Sequence, residues 1–314
     1  MPPNPCLSGL QALPTPELVA VAYSGGADST ALLLAAVELW PGRVVAIHVN
    51  HGLQDAATAF ETHCQQRCLA MGVPLHIARV NATAQTGQSP EDAARQARYA
   101  ALTQAADALE VRQVLLAQHL DDQLESIVLA LSRGAGAAGL AGMASQFEVD
   151  GVRFERPILG VRAKALRDWL DEQGEAYVHD PSNADQRFTR NRIRHSVIPA
   201  LTQAFPHIAA TVARSAQHMA QAQRLLDELA ESDLANVGNP PQIKLLQTLS
   251  SDRQANLLRY WLKAEAGAAP SSAQMHALLK QVQACRTRGH RIELKVARGH
   301  VVRDAAHLRY LQNL

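Results

Sequence analysis

Hydrophobic and polar positions follow one rhythm in the first two-thirds of the chain and another in the last third. Short, mostly apolar runs occupy residues 19–23, 43–50, 74–80, 111–117 and 152–159. Their length and Val/Ile content suit strands buried on both faces of a parallel sheet. Between them lie Ala/Leu-rich or amphipathic stretches at 30–39, 56–71, 90–99, 118–126 and 164–173, which read as helices. Ser89-Pro90-Glu91-Asp92 is a capped helix start with proline at the first position, and Gly174 marks a helix end. Strand–helix alternation predicts an α/β fold, a Rossmann-like parallel sheet of about five strands flanked by helices, over residues 1–205. Residues 5–17 are Pro-rich and read as an ordered leader or short helix. Phe205-Pro206 breaks the pattern. Residues 207–235 then read as one long Ala/Gln-rich helix, with further helices at 242–264 and 271–284. Residues 291–296, 299–303 and 307–311 read as partnered antiparallel strands. Together these predict a second, smaller, mainly helical domain over 206–314.

The first strand runs directly into Ser24-Gly25-Gly26-Ala27-Asp28-Ser29 and then a helix. Two glycines after a strand let backbone approach a ligand, and free N–H groups at a helix start favour phosphate. The Walker loop is excluded because no lysine follows, and the dinucleotide fingerprint G-x-G-x-x-G is not present there. Asp28 sits inside the turn, where a carboxylate repels phosphate unless a divalent cation lies between, so Asp28 is a candidate Mg²⁺ ligand. The competing explanation is a plain strand–helix turn with Ser and Asp as caps. Gly134-Ala135-Gly136-Ala137-Ala138-Gly139 does match G-x-G-x-x-G by letter, but it follows a helix, and a dehydrogenase is rejected. The Ser24–Ser29 stretch resembles the pyrophosphate loop of the ATP pyrophosphatases, which cleave ATP between the α and β phosphates and adenylate a substrate.

Other polar groups fall where strands end, the ligand side of an open α/β sheet. His48, Asn50 and His51 close the second strand. His119, Asp121, Asp122 and Glu125 follow the fourth; read as helix, His119, Asp122 and Glu125 share a face, with Asp121 facing Glu125. A histidine and carboxylates at that place suit metal binding or polarisation of a nucleophile; an acidic first turn complementing the helix dipole is the alternative. Arg95 and Arg98 share a helix face. Five of the nine residues 187–195 are Arg or His, a basic block suited to phosphate contacts or to a solvated helix start.

Composition narrows the partners. Lys and Arg number 30 against 29 Asp and Glu, a net charge of +1, so binding of nucleic acid must come from local patches rather than a global field. One such patch is the C-terminal set Arg286, Arg288, His290, Arg291, Lys295, Arg298 and Arg303. The four cysteines, Cys6, Cys64, Cys68 and Cys285, form no C-x-x-C pair, which argues against structural zinc or a disulfide framework. MPPNPCLSGL lacks the features of a signal peptide and no long uncharged apolar span occurs, so a cytoplasmic location without membrane contact is expected.

Taken in order, Ser24–Ser29, His48–Leu53, Glu91–Tyr99, His119–Ser126, Arg133–Met143, Arg156-Pro157, Asp180–Asn183 and Arg190–Arg194 resemble the tRNA(Ile)-lysidine synthetases. The likeness covers about residues 20–200; Ser126 departs conservatively from the family's more usual Thr. The resemblance implies that ATP adenylates O2 of the wobble cytidine of the CAU-anticodon isoleucine tRNA, and that the ε-amino group of free L-lysine displaces AMP at C2. It implies ATP contacts from Ser24, Gly25, Gly26, Ala27, Asp28, Ser29, His48 and Asn50, with Mg²⁺ at Asp28. Catalytic roles would fall to Asp28, His119, Asp122 and Glu125, and tRNA or base contacts to Arg95, Arg98, Arg190, Asn191, Arg192 and Arg194. A homodimer fits the family. The additional C-terminal domain of longer members is not expected. Two rivals stand beside this reading. A tRNA thiolase of the same fold would need cysteines near the site. A non-catalytic tRNA-binding module would have no use for Asp28, His119 and Asp122.

Overall fold

The computed structural model describes residues 2–50, 56–80, 90–179, 185, 187–267, 269–287 and 289–312. The expected contributions of His51–Leu53, Ser89, Asp180–Asn183 and Arg288 lie outside them. Contacts divide the chain into two compact units, Met1–His218 and Met219–Leu314.

In the first unit β1 (Val19–Ala22), β2 (Val44–Asn50), β3 (Leu75–Arg79), β4 (Gln113–Leu115), β5 (Gln146–Val149) and β6 (Val152–Glu155) form one sheet in the order β3-β2-β1-β4-β6-β5. All neighbours are parallel except β5 and β6. The sheet has six described strands where the sequence pattern predicts about five. The addition, β5, hairpins onto β6 through Asp150-Gly151, both with positive φ (48° and 78°), the conformation that a two-residue hairpin turn matched to strand twist requires.

Helices cover both faces: α1 (Leu7–Gln11), α2 (Ala27–Leu39), α3 (Ala56–Met71), α4 (Pro90–Ala108), α5 (Leu120–Ser132), α6 (Ala137–Leu140) and α7 (Ala163–Gln173). β1 shows why. Val19 and Val21 point into a core with Leu32, Leu33, Leu166 and Leu170, whereas Ala20 and Ala22 point into another with Ile47, Leu102, Val114 and Phe154. Every β1 residue is therefore buried, as its continuous apolar run demands. Each Leu buried in these cores contributes about 1.5–3 kcal/mol.

β1 and β4 are neighbours, with Val21 beside Leu115, and the chain winds away from them in opposite directions. That is the topological switch point, where the carboxyl ends of strands open a crevice. The loop after β1 and the loop after β4 both empty into it. Beyond α7, α8 (Thr189–Arg192) passes through a π-helical turn, Ile193–Val197, into α9 (Ile198–Ala204) and α10 (Ile208–Val237). π-turns recur at functional sites.

The second unit holds the end of α10, α11 (Ile243–Leu246), α12 (Ser251–Ala266), α13 (Ser272–Ala284) and an antiparallel sheet of β7 (Glu293–Val296), β8 (Gly299–Asp304) and β9 (His307–Gln312). Leu257, Trp261, Leu278, Val301 and Leu308 are the centre of its own core. Ser250 and Ser271 cap α12 and α13 by accepting backbone N–H bonds.

Candidate active site

The crevice at the switch point is a cleft of about 880 Å³. Its floor is the Ser24–Ser29 turn. Gly25 takes φ +82°, and a Cβ there would meet Cys64 Sγ at 3.0 Å and Val178 Cγ2 at 3.1 Å; only glycine fits. Gly26 has ordinary backbone, φ −74°, and is the N-cap of α2. Ser29 and Thr30 are buried and stitch the turn: both hydroxyls donate to the Gly26 carbonyl, at 3.1 and 2.9 Å, and the Ser24 N–H donates to Ser29 Oγ at 3.2 Å. Ser24, Gly26, Ala27 and Asp28 line the cleft, while Ser29 shapes the loop from beneath.

Asp28 stands in the first turn of α2. Its Oδ2 lies 3.5 Å from His119 Nε2, and its Oδ1 is buried without a hydrogen-bond partner. An orphaned buried carboxylate oxygen beside the backbone N–H groups of a helix start fits a cation. Among the described residues no cluster of three or more His, Cys, Asp or Glu could hold a metal by itself. A single carboxylate of the Asp28 kind is what a protein commonly offers Mg²⁺ where substrate phosphates and water complete its shell.

His119 is the N-cap of α5 rather than part of it. Its Nδ1 accepts the Asp122 N–H at 3.3 Å, while Asp122 Oδ2 accepts the His119 N–H at 3.1 Å, a reciprocal capping box. Nδ1 is thus an acceptor and the ring proton sits on Nε2, which faces Asp28 and Asp122, each at 3.5 Å. Burial works against a charged ring, but Asp28, Asp122 and Asp121 outweigh it and raise the His119 pKa.

Asp121 turns away from the Glu125 face on which helical spacing places it. Its carboxylate accepts the Ala163 N–H at 2.8 Å and pairs with Arg162 at 3.1 Å, capping α7 from outside. Glu125 is 1% exposed and receives both Nε (2.5 Å) and Nη2 (2.9 Å) of Arg194. Burial pushes the Glu125 carboxyl up against the pull of Arg194, and the pair holds Arg194 firmly charged. Arg194 also lies 3.6 Å from Asp122. Asp28, His119, Asp122, Arg194 and Glu125 therefore form one continuous polar chain along the cleft wall.

At the other wall His48 Nδ1 donates to the Tyr23 carbonyl at 2.9 Å, leaving Nε2 as an acceptor; burial lowers its pKa. Asn50 donates to Glu61 at 2.8 Å on the rim.

The arginines separate. Arg98 lines the cleft; Arg95 does not, lying over the Tyr99 ring at 5.2 Å. Of the 190–194 block only Arg194 lines the cleft. Asn191 is buried and donates to the Asp185 carbonyl, and Arg192 is exposed beside Thr189. Arg162, Lys164, Arg167, Tyr177 and His179 also line the cleft, and sequence reasoning passed over them. A signal existed. Three cations sit in or beside the first turns of α7, where the helix dipole disfavours them, and a broken local rule points to function.

No cysteine lines the cleft. Cys64 lies beneath Gly25, fully buried, with its thiol pushed up to about 12 by burial, so it is neither a thiolate nor accessible. The basis of a persulfide or cluster chemistry is missing among the described residues.

Comparison with known proteins agrees with this fold. Residues 7–201 match the PP-loop domain, which defines an ATP-using α/β fold, and residues 242–309 match the TilS substrate binding domain. The chain is 56% identical over 313 residues to the tRNA(Ile)-lysidine synthase of Polaromonas naphthalenivorans, covering 98% of this chain and 95% of that protein. It is 42% identical over 285 residues to the corresponding enzyme of Burkholderia pseudomallei, covering 88% of this chain and 58% of the longer relative. Among solved structures the U34-tRNA thiolase NcsA of Methanococcus maripaludis shares the fold, with a TM-score of 0.59 at 17% identity over 68% of this chain and 76% of that one. The chain belongs to the tRNA(Ile)-lysidine synthase family.

Proposed function

We propose that this chain makes lysidine at the wobble cytidine of the CAU-anticodon isoleucine tRNA, in two steps carried out in the cleft of the first unit. The observation that supports it most is the joining of the phosphate loop to a His–carboxylate–Arg chain at the sheet's switch point. In the first step cytidine O2 attacks the α-phosphorus of ATP and pyrophosphate leaves. Backbone N–H groups at the start of α2 and the side chain of Ser24 bind phosphate oxygens. Asp28 is the residue that would hold Mg²⁺, whose charge would offset that of the triphosphate. In the second step the ε-amino group of lysine attacks C2, and AMP leaves with the former O2.

The incoming ammonium must lose a proton before attack. Glu125 is committed to Arg194 by two bonds, Asp121 to Arg162 and the Ala163 N–H, His119 Nδ1 to the α5 cap and Asp28 to Mg²⁺, so this role falls to Asp122, whose Oδ1 takes no part in the cap. His48 and Asn50 bound the nucleotide side. Arg98, Arg194 and the α7 cations Arg162, Lys164 and Arg167 supply positive charge for tRNA or activated-base phosphate. Arg95, Arg190, Asn191 and Arg192 belong to the same tRNA-facing set, Asn191 by holding the segment. The 206–314 domain grips tRNA through its exposed cations. Free L-lysine, Mg²⁺, a homodimer and a cytoplasmic setting belong to this reading; no described helix is long and apolar enough to cross a membrane.

The test is incorporation of radiolabelled lysine into unmodified CAU-anticodon isoleucine tRNA with Mg-ATP. Incorporation that requires both ATP and the wobble cytidine is expected. AMP release without lysine incorporation would overturn the nucleophile, and tRNA binding without ATP turnover would overturn catalysis.

A further inference from the structure

The phosphate loop is held from above by a segment that carries none of the motifs singled out in the sequence. α7 ends at Gly174, left-handed at φ +68°, and the Glu175 N–H reaches back to the Leu170 carbonyl at 2.9 Å, which fixes where Glu175 leaves the helix. The extended chain that follows crosses the loop, and the Val178 N–H donates to the Gly25 carbonyl at 2.9 Å. Val178 and, from α3, His63 and Cys64 all close on the position a Cβ would take at the loop glycine, at 3.1, 3.3 and 3.0 Å. One ion pair joins these two elements: Arg67 of α3, a turn beyond His63, bonds Glu175. Both side chains are mostly buried, at 23% and 27% exposed, and Arg67 Nε is buried without another partner. Neither residue lines the cleft.

We propose that Arg67 and Glu175 are positioning residues for ATP: their pair clamps the 175–178 segment to α3 and so fixes the Gly25 backbone in its ligand-binding shape. The clamp acts on the ground-state seat of the phosphates rather than on the reacting atoms. Its loss should weaken ATP binding and leave turnover at saturation nearly intact. The inference rests on the reading of this loop as the ATP site, so its test includes a readout that needs no nucleotide.

The experiment measures the KM for ATP, kcat and native-state exchange of the Val178 amide in wild type, Arg67→Met, Glu175→Gln and the charge-swapped double variant R67E/E175R. Each single variant is expected to raise the ATP KM by about fivefold, the scale of one partly buried pair, with kcat and the KM for tRNA within about twofold of wild type. Val178 exchange should accelerate in the same variants without nucleotide, and the swapped pair should recover both readouts. Glu175→Gln separates a clamp from direct attraction of phosphate by Arg67, because it keeps the cation. An unchanged ATP KM in Glu175→Gln, unchanged Val178 exchange, or failure of the swap to recover either readout would overturn the clamp. A wild-type protein that turns over no ATP while Glu175→Gln still speeds Val178 exchange would overturn the ATP reading and leave the clamp standing.

Discussion

Two adjacent glycines in the phosphate loop do different work, and substitution separates them. Gly25→Ala forces a Cβ onto a backbone at φ +82° and against Cys64 and Val178, so it should lower stability by about 1–2 kcal/mol as well as weaken ATP binding. Gly26→Ala meets nothing closer than Ser24 Oγ at 3.5 Å; it should leave stability within about 0.5 kcal/mol while raising the ATP KM. Urea unfolding and pyrophosphate release on the two variants check both halves. His48 gives a pH signature. Burial lowers its native pKa below the unfolded value near about 6.5. The unfolded chain therefore binds more protons in that range, and stability falls as pH drops through the window below about 6.5 toward the native value. Stability of His48→Gln relative to wild type should rise as pH falls through that window, read from urea midpoints. The strand–turn–helix at Ser24–Ser29 was legible because an apolar run, two glycines and a helix start restrict the backbone tightly. The partner choices of Asp121 and Glu125 were not, since each pairs with a residue dozens of positions away, Ala163 and Arg194, and local spacing holds no record of such contacts.

The elements set those partners. α5 begins at the switch point, and the π-turn carrying Arg194 lies beside it, so Glu125 can be fully buried only because a guanidinium reaches it with two bonds. Arg194→Ala should cost about 2–3 kcal/mol, less than for a fully buried pair because Arg194 keeps a third of its side-chain surface exposed, and leaves an unpaired buried carboxylate. The double variant Glu125→Gln/Arg194→Met should regain most of that stability and none of the lysine incorporation; thermal unfolding beside the lysine assay separates the two effects. Strand–helix order could be read from apolar periodicity because buried parallel strands must be apolar throughout. β5 escaped that reading although Gln-Phe-Glu-Val alternates and Asp-Gly follows it. An edge strand with one half-buried face carries only a weak apolar signal, and here the turn chemistry was the stronger clue.

At the scale of the whole molecule, a nearly neutral chain must bind a polyanion through local charge, and the second unit shows how that charge is divided. Arg286, Arg291, Lys295 and Arg298 are exposed, and their side chains enter no ion pair or hydrogen bond among the described residues. Arg303 differs, although the sequence groups it with them. Its guanidinium donates to the carbonyls of Thr287 (2.7 Å), His290 (2.8 Å) and Ala305 (2.8 Å), tying the approach to β7 onto β8. Two kinds of variant should therefore diverge. Arg291→Ala, Lys295→Ala and Arg298→Ala should each weaken tRNA binding and reduce the dependence of log affinity on log salt by up to about one for each phosphate left without its cation, with unfolding unchanged. Arg303→Ala should chiefly destabilise the unit by about 1–3 kcal/mol, because three backbone acceptors lose a charged donor together, and should leave the salt slope near that of wild type. Salt-titrated tRNA binding with urea unfolding on the same four proteins distinguishes them. If Arg303→Ala alone flattened the salt slope, the exposed face would not be the tRNA surface. If all four were silent in binding, recognition would rest on the cleft cations Arg98, Arg162, Lys164 and Arg167, which sit in the unit that holds the phosphate loop.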